Sequence, residues 1–192
     1  MFEVLNEMNK PTLYIFSGLP GSGKSTLAQE LSKATGFIYL RIDTVEQGLR
    51  DLCKFKVEGE GYRLSYRIAQ DNLKLGIGVI ADSCNPIVLT RSEWNEVATK
   101  SKVTFTNIEV VCSDISEHRK RVENREPTIE GHKLPTWKDV ENREYHSWSD
   151  ERLVIDTAGK TVSESVHELL AGLEVDENRL TNHCTGLAEL SR

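Results

Sequence analysis

Eight residues, Gly18-Leu19-Pro20-Gly21-Ser22-Gly23-Lys24-Ser25, follow the spacing GxxxxGK[ST], and Thr26 comes directly after them. Each residue type in the run has its own chemical reason. Gly21 and Gly23 let the backbone turn its N–H groups inward around phosphate oxygens, with no Cβ in the way. Lys24 is long enough to reach the β- and γ-phosphates of a nucleotide, and Ser25 offers a hydroxyl to a magnesium ion. Ser22 and Thr26 extend the row of backbone donors. A helix starting near Lys24 would add its positive N-terminal end. A bare glycine-rich turn would leave Lys24 without a purpose, so the run reads as a site for ATP and Mg²⁺.

Two acidic residues fall at the ends of apolar stretches. Asp43 follows Arg41-Ile42, and Asp82 ends Val79-Ile80-Ala81-Asp82. In an open parallel sheet the carboxyl ends of the strands line the ligand crevice. Asp43 would face the phosphate loop there and accept the proton of a reacting hydroxyl; it also suits a helix cap. Asp82 fits the carboxylate that holds magnesium directly or through water, or else a turn residue, and Asn85 is placed to line the same pocket. Arg121 and Arg125 are spaced i, i+4 on one helical face and lead into a loop with Pro127, Gly131 and Pro135. Such a pair could close over a transferring phosphoryl group. A solvated helix balanced by Glu117, Glu123 and Glu126 is the alternative, and spacing alone does not choose between the two arginines.

These side chains need a scaffold that presents strand ends on one side. Short apolar runs at 12–16, 37–42, 78–81, 107–112 and 153–155 read as strands. Helical spacing covers 24–35, 44–55, 62–75, 90–100, 115–125, 137–148 and 161–173. Strands alternating with helices predict an α/β fold, with a parallel sheet covered on both faces. One domain spans 1–173, with a lid at about 119–136, and the polar residues 174–192 read as a tail.

The chain has 192 residues, 38% hydrophobic and 28% charged, with a net charge of -6. That composition suits one folded domain and argues against long nucleic acid, which favours a basic footprint. No stretch reaches the ~20 apolar residues of a membrane span, and the N-terminus lacks a signal-peptide pattern. Cys53, Cys84, Cys112 and Cys184 are isolated and read as reduced thiols. A cytoplasmic protein is therefore expected. There is no NKxD stretch for guanine, and the chain is short for a helicase or a transporter ATPase.

The chain resembles small-molecule kinases of the P-loop NTPase superfamily. More narrowly, it resembles bacterial kinases carrying an AAA-type ATPase label, relatives of gluconate kinase, chloramphenicol phosphotransferase, zeta toxins and polynucleotide 5′-hydroxyl kinases. The residues that carry this are GLPGSGKST at 18–26, RIDTVEQGLR at 41–50, VIADSCNP at 79–86, RVENRE at 121–126, LPTWKDVENREYHSW at 134–148 and LVIDT at 153–157. The resemblance implies a sheet of about five strands and ATP as donor. It also implies Asp43 on the acceptor side, Asp82 near magnesium, a lid arginine at Arg121 or Arg125, and Thr157 and Gly159 near the adenine. The acceptor is a small molecule with a hydroxyl, and Arg50, Tyr62, Arg63 and Arg67 are candidates to meet it. The three arginines hint at an anionic acceptor, although surface solvation accounts for them as well. Trp137, Tyr145 and Trp148 are expected to dock into the core rather than stack on a ligand. A kinase of nucleic-acid 5′ ends or nucleotide sugars, and a nucleotide-binding regulator with little turnover, are the alternative readings. Intact Lys24, Ser25, Asp43 and Asp82 speak against the regulator.

Overall fold

A computed structural model describes residues 10–175. Residues 176–192, including Cys184 and most of the expected tail, lie outside the described residues, as does the N-terminal stretch 1–9. In chain order the elements are β1 (Thr12–Ser17), α1 (Lys24–Thr35), β2 (Ile38–Arg41), α2 (Ile42–Cys53), α3 (Glu60–Lys74), β3 (Val79–Asp82), α4 (Val88–Ser101), β4 (Thr104–Val111), α5 (Ile115–Asn124), α6 (Trp137–Glu141), β5 (Leu153–Asp156) and α7 (Val162–Gly172).

The strands form one parallel sheet in the order β2-β3-β1-β4-β5. Helices lie on both faces, so the central strands are apolar on both sides. Tyr14, Phe16, Ile80, Ile108, Val110 and Ile155 pack with Leu27, Leu31, Leu169 and Leu170 from α1 and α7. Leu13, Ile15, Val79 and Ala81 pack on the other face with Leu73 of α3 and Trp94 of α4. The fold is the expected α/β P-loop NTPase arrangement. Because β1 is the middle strand, the loop after it opens at the centre of the carboxyl edge, where a parallel sheet binds ligands. Among the described residues no helix is long and apolar enough to cross a membrane.

Among the elements that differ from expectation, the strand expected over 107–112 runs over Thr104–Val111, and two others move residues of interest. The strand expected over 37–42 stops at Arg41, because Ile42 is buried as the first residue of α2. Asp43 therefore stands in the first helical turn instead of at a strand end. The helix expected over 137–148 ends at Glu141, and residues 142–150 form an irregular strap.

Arg91, buried on α4, explains the strap. Its Nε donates to the Asn85 carbonyl at 2.9 Å, while Nη2 donates to the carbonyls of Pro86 and His146 at 3.2 and 3.0 Å. The guanidinium lies 4.0 Å from the Trp148 ring centre and 5.0 Å from that of Tyr145. The His146 amide donates to the Pro86 carbonyl at 2.7 Å. A helix through 148 would tie up the His146 carbonyl that accepts from this buried cation, so tertiary bonding overrides local propensity. Tyr145 and Trp148 dock inward as expected, but onto a charge.

Arg91→Ala is expected to cost about 3 kcal/mol of unfolding free energy, measured as a lower urea midpoint. A cost under about 0.5 kcal/mol, the level of an ordinary surface change, would show that the strap stands without it.

Candidate functional site

The phosphate loop is held by its carbonyls. Thr157 Oγ1 donates to the Ser22 carbonyl at 2.9 Å, and His118 Nε2 lies 2.9 Å from the Pro20 carbonyl. The Leu19 carbonyl accepts from the Ser22 amide at 3.2 Å, and the Gly18 amide donates to the Cys84 carbonyl at 3.1 Å. Gly21 has φ +86, and a Cβ there would stand 2.5 Å from Val122 Cγ2. Only glycine lets the loop lie this close to α5.

With carbonyls taken by protein, the first turn of α1 supplies the open donors. The Leu27 amide is bonded to the Gly23 carbonyl, and Gly23 as N-cap brings no side-chain acceptor. The amides of Lys24, Ser25 and Thr26 precede that first helical bond and have no intrahelical partner. They open on a cleft of about 550 Å³, lined among others by Gly21, Gly23, Lys24, Ser25, Thr26, Arg41, Arg121, Arg125 and Thr157. The cleft continues past Thr157 to Lys160, Thr161, Val162 and Ser165 at the start of α7.

Arg121 and Arg125 have different environments. Arg121 is committed: Nη1 donates to Thr157 Oγ1 at 2.7 Å, and Nη2 donates to the Thr157 carbonyl at 2.9 Å and to Glu117 at 2.5 Å. Arg125 is half-buried, and its Nε and Nη2 have no protein partner. Burial pushes its pKa down, and the Asp43 carboxylate opposes that shift. Asp43 is thus close enough to act on a cleft arginine, though it does not itself line the cavity.

Asp82 is buried at the end of β3. Its Oδ2 accepts from the Tyr39 hydroxyl at 2.6 Å, while Oδ1 is buried without a partner. Burial pushes the Tyr39 phenol pKa up, and the Asp82 charge adds to this. Gln29 Nε2 donates to the same hydroxyl at 3.5 Å. Ser25 lies four residues before Gln29 and shares its helix face, so Ser25 and Asp82 belong to one side of the sheet. The free Oδ1 and the Ser25 hydroxyl suit a magnesium ion, which keeps several waters and takes one or two carboxylates alongside phosphate oxygens. Among the described residues no group of three or more His, Cys, Asp or Glu could hold a metal by itself.

Asp82 itself does not line the cleft, and further sequence candidates also sit apart from its lining. The Gly159 amide donates to Glu117 Oε2 at 2.9 Å. Arg50 is ion-paired with Glu46 at 2.9 Å, and Arg63 is exposed. The Tyr62 hydroxyl accepts from the Asn85 amide at 3.3 Å, and Asn85 Nδ2 donates to the Phe16 carbonyl at 3.1 Å. Asn85 thereby braces the turn after β3 against the end of β1. Ser22 is buried with its hydroxyl unpartnered and presents no side chain to the cleft.

Sequence reasoning passed over Tyr39 and, as a site residue, Arg41. Strand alternation could have found both, because they share a face of β2 and Arg41 pairs in register with Asp82.

A family model described as an AAA domain matches residues 13–140. The chain belongs to this AAA-domain family. No curated protein matches the sequence. Among solved structures, this AAA-domain chain is similar to a gluconokinase from Sinorhizobium meliloti 1021, with 18% identity, TM-score 0.59, and coverage of 96% of this chain and 99% of that one. The Mycobacterium tuberculosis APS kinase CysC, in complex with AMPPNP and APS, gives 17% identity, TM-score 0.65, and coverage of 86% and 98%. Chaetomium thermophilum Kti12, in complex with ADP-AlF3, gives 18%, 0.59, and coverage of 83% and 97%. The AAA-domain chain shares the fold of these proteins.

Arg121→Ala is expected to lower stability by about 2 kcal/mol, the scale of a lost charged hydrogen-bond set. Arg125→Ala should change it by less than about 0.5 kcal/mol. Paired urea denaturation curves would reverse the assignment of the two arginines if Arg125→Ala proved the costlier change.

Proposed function

We propose that this protein is an ATP- and Mg²⁺-dependent kinase that transfers the γ-phosphoryl group to a hydroxyl of a small molecule. The observation that carries the reading is one cleft in which Lys24, Ser25, the open amides of α1 and the uncommitted Arg125 converge. A nucleotide would lie with its phosphates over the first turn of α1 and its nucleoside toward Thr157 and Val162. The AMPPNP and ADP-AlF3 named for two of the structural neighbours support an adenine nucleotide. Magnesium, held by Ser25 with Asp82 behind it, would neutralise phosphate charge.

In the transfer, the acceptor oxygen bonds to Pγ as the bond from Pγ to the β,γ-bridging oxygen breaks, and ADP leaves. Asp43 takes the hydroxyl proton and releases it to water. Lys24 and Arg125 stabilise the charge on the equatorial phosphoryl oxygens, which is the main task in phosphoryl transfer. Arg121 acts through Thr157, holding the wall of the cleft. The absence of a membrane-crossing helix among the described residues fits work in the cytoplasm.

ADP release with Mg·ATP, measured against a panel of hydroxylated metabolites, nucleosides, aminoglycosides and 5′-hydroxyl oligonucleotides, tests the proposal. Stimulation by one acceptor class is expected. Lys24→Ala should abolish that turnover while the circular dichroism spectrum stays unchanged; undiminished turnover would sink the kinase reading. Asp43→Asn should lower kcat by about 10²-fold or more with Mg·AMPPNP affinity intact. A parallel loss of affinity would reassign Asp43 to capping α2.

A further inference from the structure

The cleft holds more uncommitted positive charge on one side than a magnesium nucleotide would use. Of its cationic lining residues, Arg121 is engaged by Glu117 and Thr157, and Lys160 by Glu168. Lys24, Arg41 and Arg125 remain. Arg41 is fixed by a bond from Nη1 to Thr128 Oγ1 at 2.9 Å, yet its Nε is buried without a partner. Two further buried guanidinium nitrogens, Nε and Nη2 of Arg125, are also without one. The charges of Arg41 and Arg143 both press on Arg125, and Asp43 is the carboxylate that answers them. Buried like charges oppose folding unless an anion lies between them, so these guanidiniums are suited to a ligand rather than to stability.

Topology says which ligand. The phosphate loop follows the central strand β1, and the cleft reaches the start of α7 beyond β5 on one side. Arg41 ends β2, the opposite edge of the sheet, two strands from β1. With strands about 4.8 Å apart, that is about 10 Å across the sheet from the loop. Arg41 therefore stands on the far side of the phosphates from the nucleoside, where an acceptor must enter for an in-line transfer.

We propose that Arg41 and Arg125 form a clamp for an acidic group of the acceptor, which makes the substrate a hydroxylated anion bearing a carboxylate, phosphate or sulfate rather than a neutral polyol or an aminoglycoside. The inference rests on the kinase reading of the same cleft. It moves the recognition of an acidic acceptor from Arg50, which is ion-paired, and the exposed Arg63 to two residues that converge on the reacting phosphate. Arg41 fixes the acid group from β2, and Arg125 bridges it toward the transferring phosphoryl group. Both forks present N–H donors in the geometry that oxyanions accept.

The test uses full-length protein saturated with Mg·AMPPNP and titrated with sodium sulfate, with sodium chloride at matched ionic strength as the blank. Binding is read by isothermal titration and by thermal shift. Sulfate is expected to bind the nucleotide-loaded wild type, and Arg41→Ala should weaken it at least about tenfold (~1.4 kcal/mol). Lys100→Ala, an exposed change on α4, should bind as wild type does. Acetate, methyl phosphate and methyl sulfate in the same assay rank the three sources of the acidic group. An equal response in wild type and Arg41→Ala overturns the clamp, as does sulfate binding that disappears once Mg·AMPPNP is bound. In those cases acceptor-stimulated ADP release itself persists, whereas failure of the kinase reading shows as no acceptor-stimulated ADP release in wild type.

Discussion

The Thr157 hydroxyl holds the Ser22 carbonyl at 2.9 Å and receives Arg121 Nη1 at 2.7 Å. Through this side chain the end of β5, helix α5 and the phosphate loop are bonded into one unit. A loop whose carbonyls are engaged by protein keeps its amides turned the other way. Thr157 and His118 each engage one of those carbonyls, and α1 follows with its first amides open. The rest of the cleft takes its positions from that unit: Lys24 is the first residue of α1, and Arg125 follows the last residue of α5.

The electrostatic design follows from where charge is buried. The chain as a whole is acidic, with a net charge of -6, yet its cleft gathers Lys24, Arg41, Arg121, Arg125 and Lys160. A negative exterior limits non-specific attraction to polyanions, while the local field favours small anions that fit the cavity. Within the cleft the cations divide by hydrogen bonding. Arg121 and Lys160 are paired with Glu117 and Glu168 and shape the walls, whereas Arg41 and Arg125 keep N–H groups without a protein partner.

The opposite end of the loop is stabilised from below. Gly18 bonds to the Cys84 carbonyl, Asn85 bonds to the Phe16 carbonyl, and Arg91 fastens the Asn85 and Pro86 carbonyls to the strap at His146. The turn after β3 is thereby fixed, and Asp82 is fixed with it. Residues far from the phosphate loop in sequence thus set how rigidly the Asp82 carboxylate is held, with Tyr39 bonded to one oxygen and the other left free.

The phosphate loop, the alternation of strands and helices, and the parallel sheet were legible in the sequence, because each rests on local spacing: glycines at 18, 21 and 23, Lys24 after them, and apolar runs bounded by turns. The family resemblance rested on the same short runs. The division of labour among the charged residues was not legible. Arg121 has Glu117 four residues before it on the same helix, but only the arrival of Thr157 from the end of β5 separates a strut from the open guanidinium of Arg125. Arg50 looked available in the sequence and is ion-paired by its own helix, whereas Arg41 looked like a strand residue and lines the cleft. Residues 142–148 of the strap follow helical spacing in the sequence but are drawn out by Arg91. Periodicity reports what a segment prefers by itself, whereas burial of a charge is settled by every element that surrounds it, and that information exists only once the chain has folded.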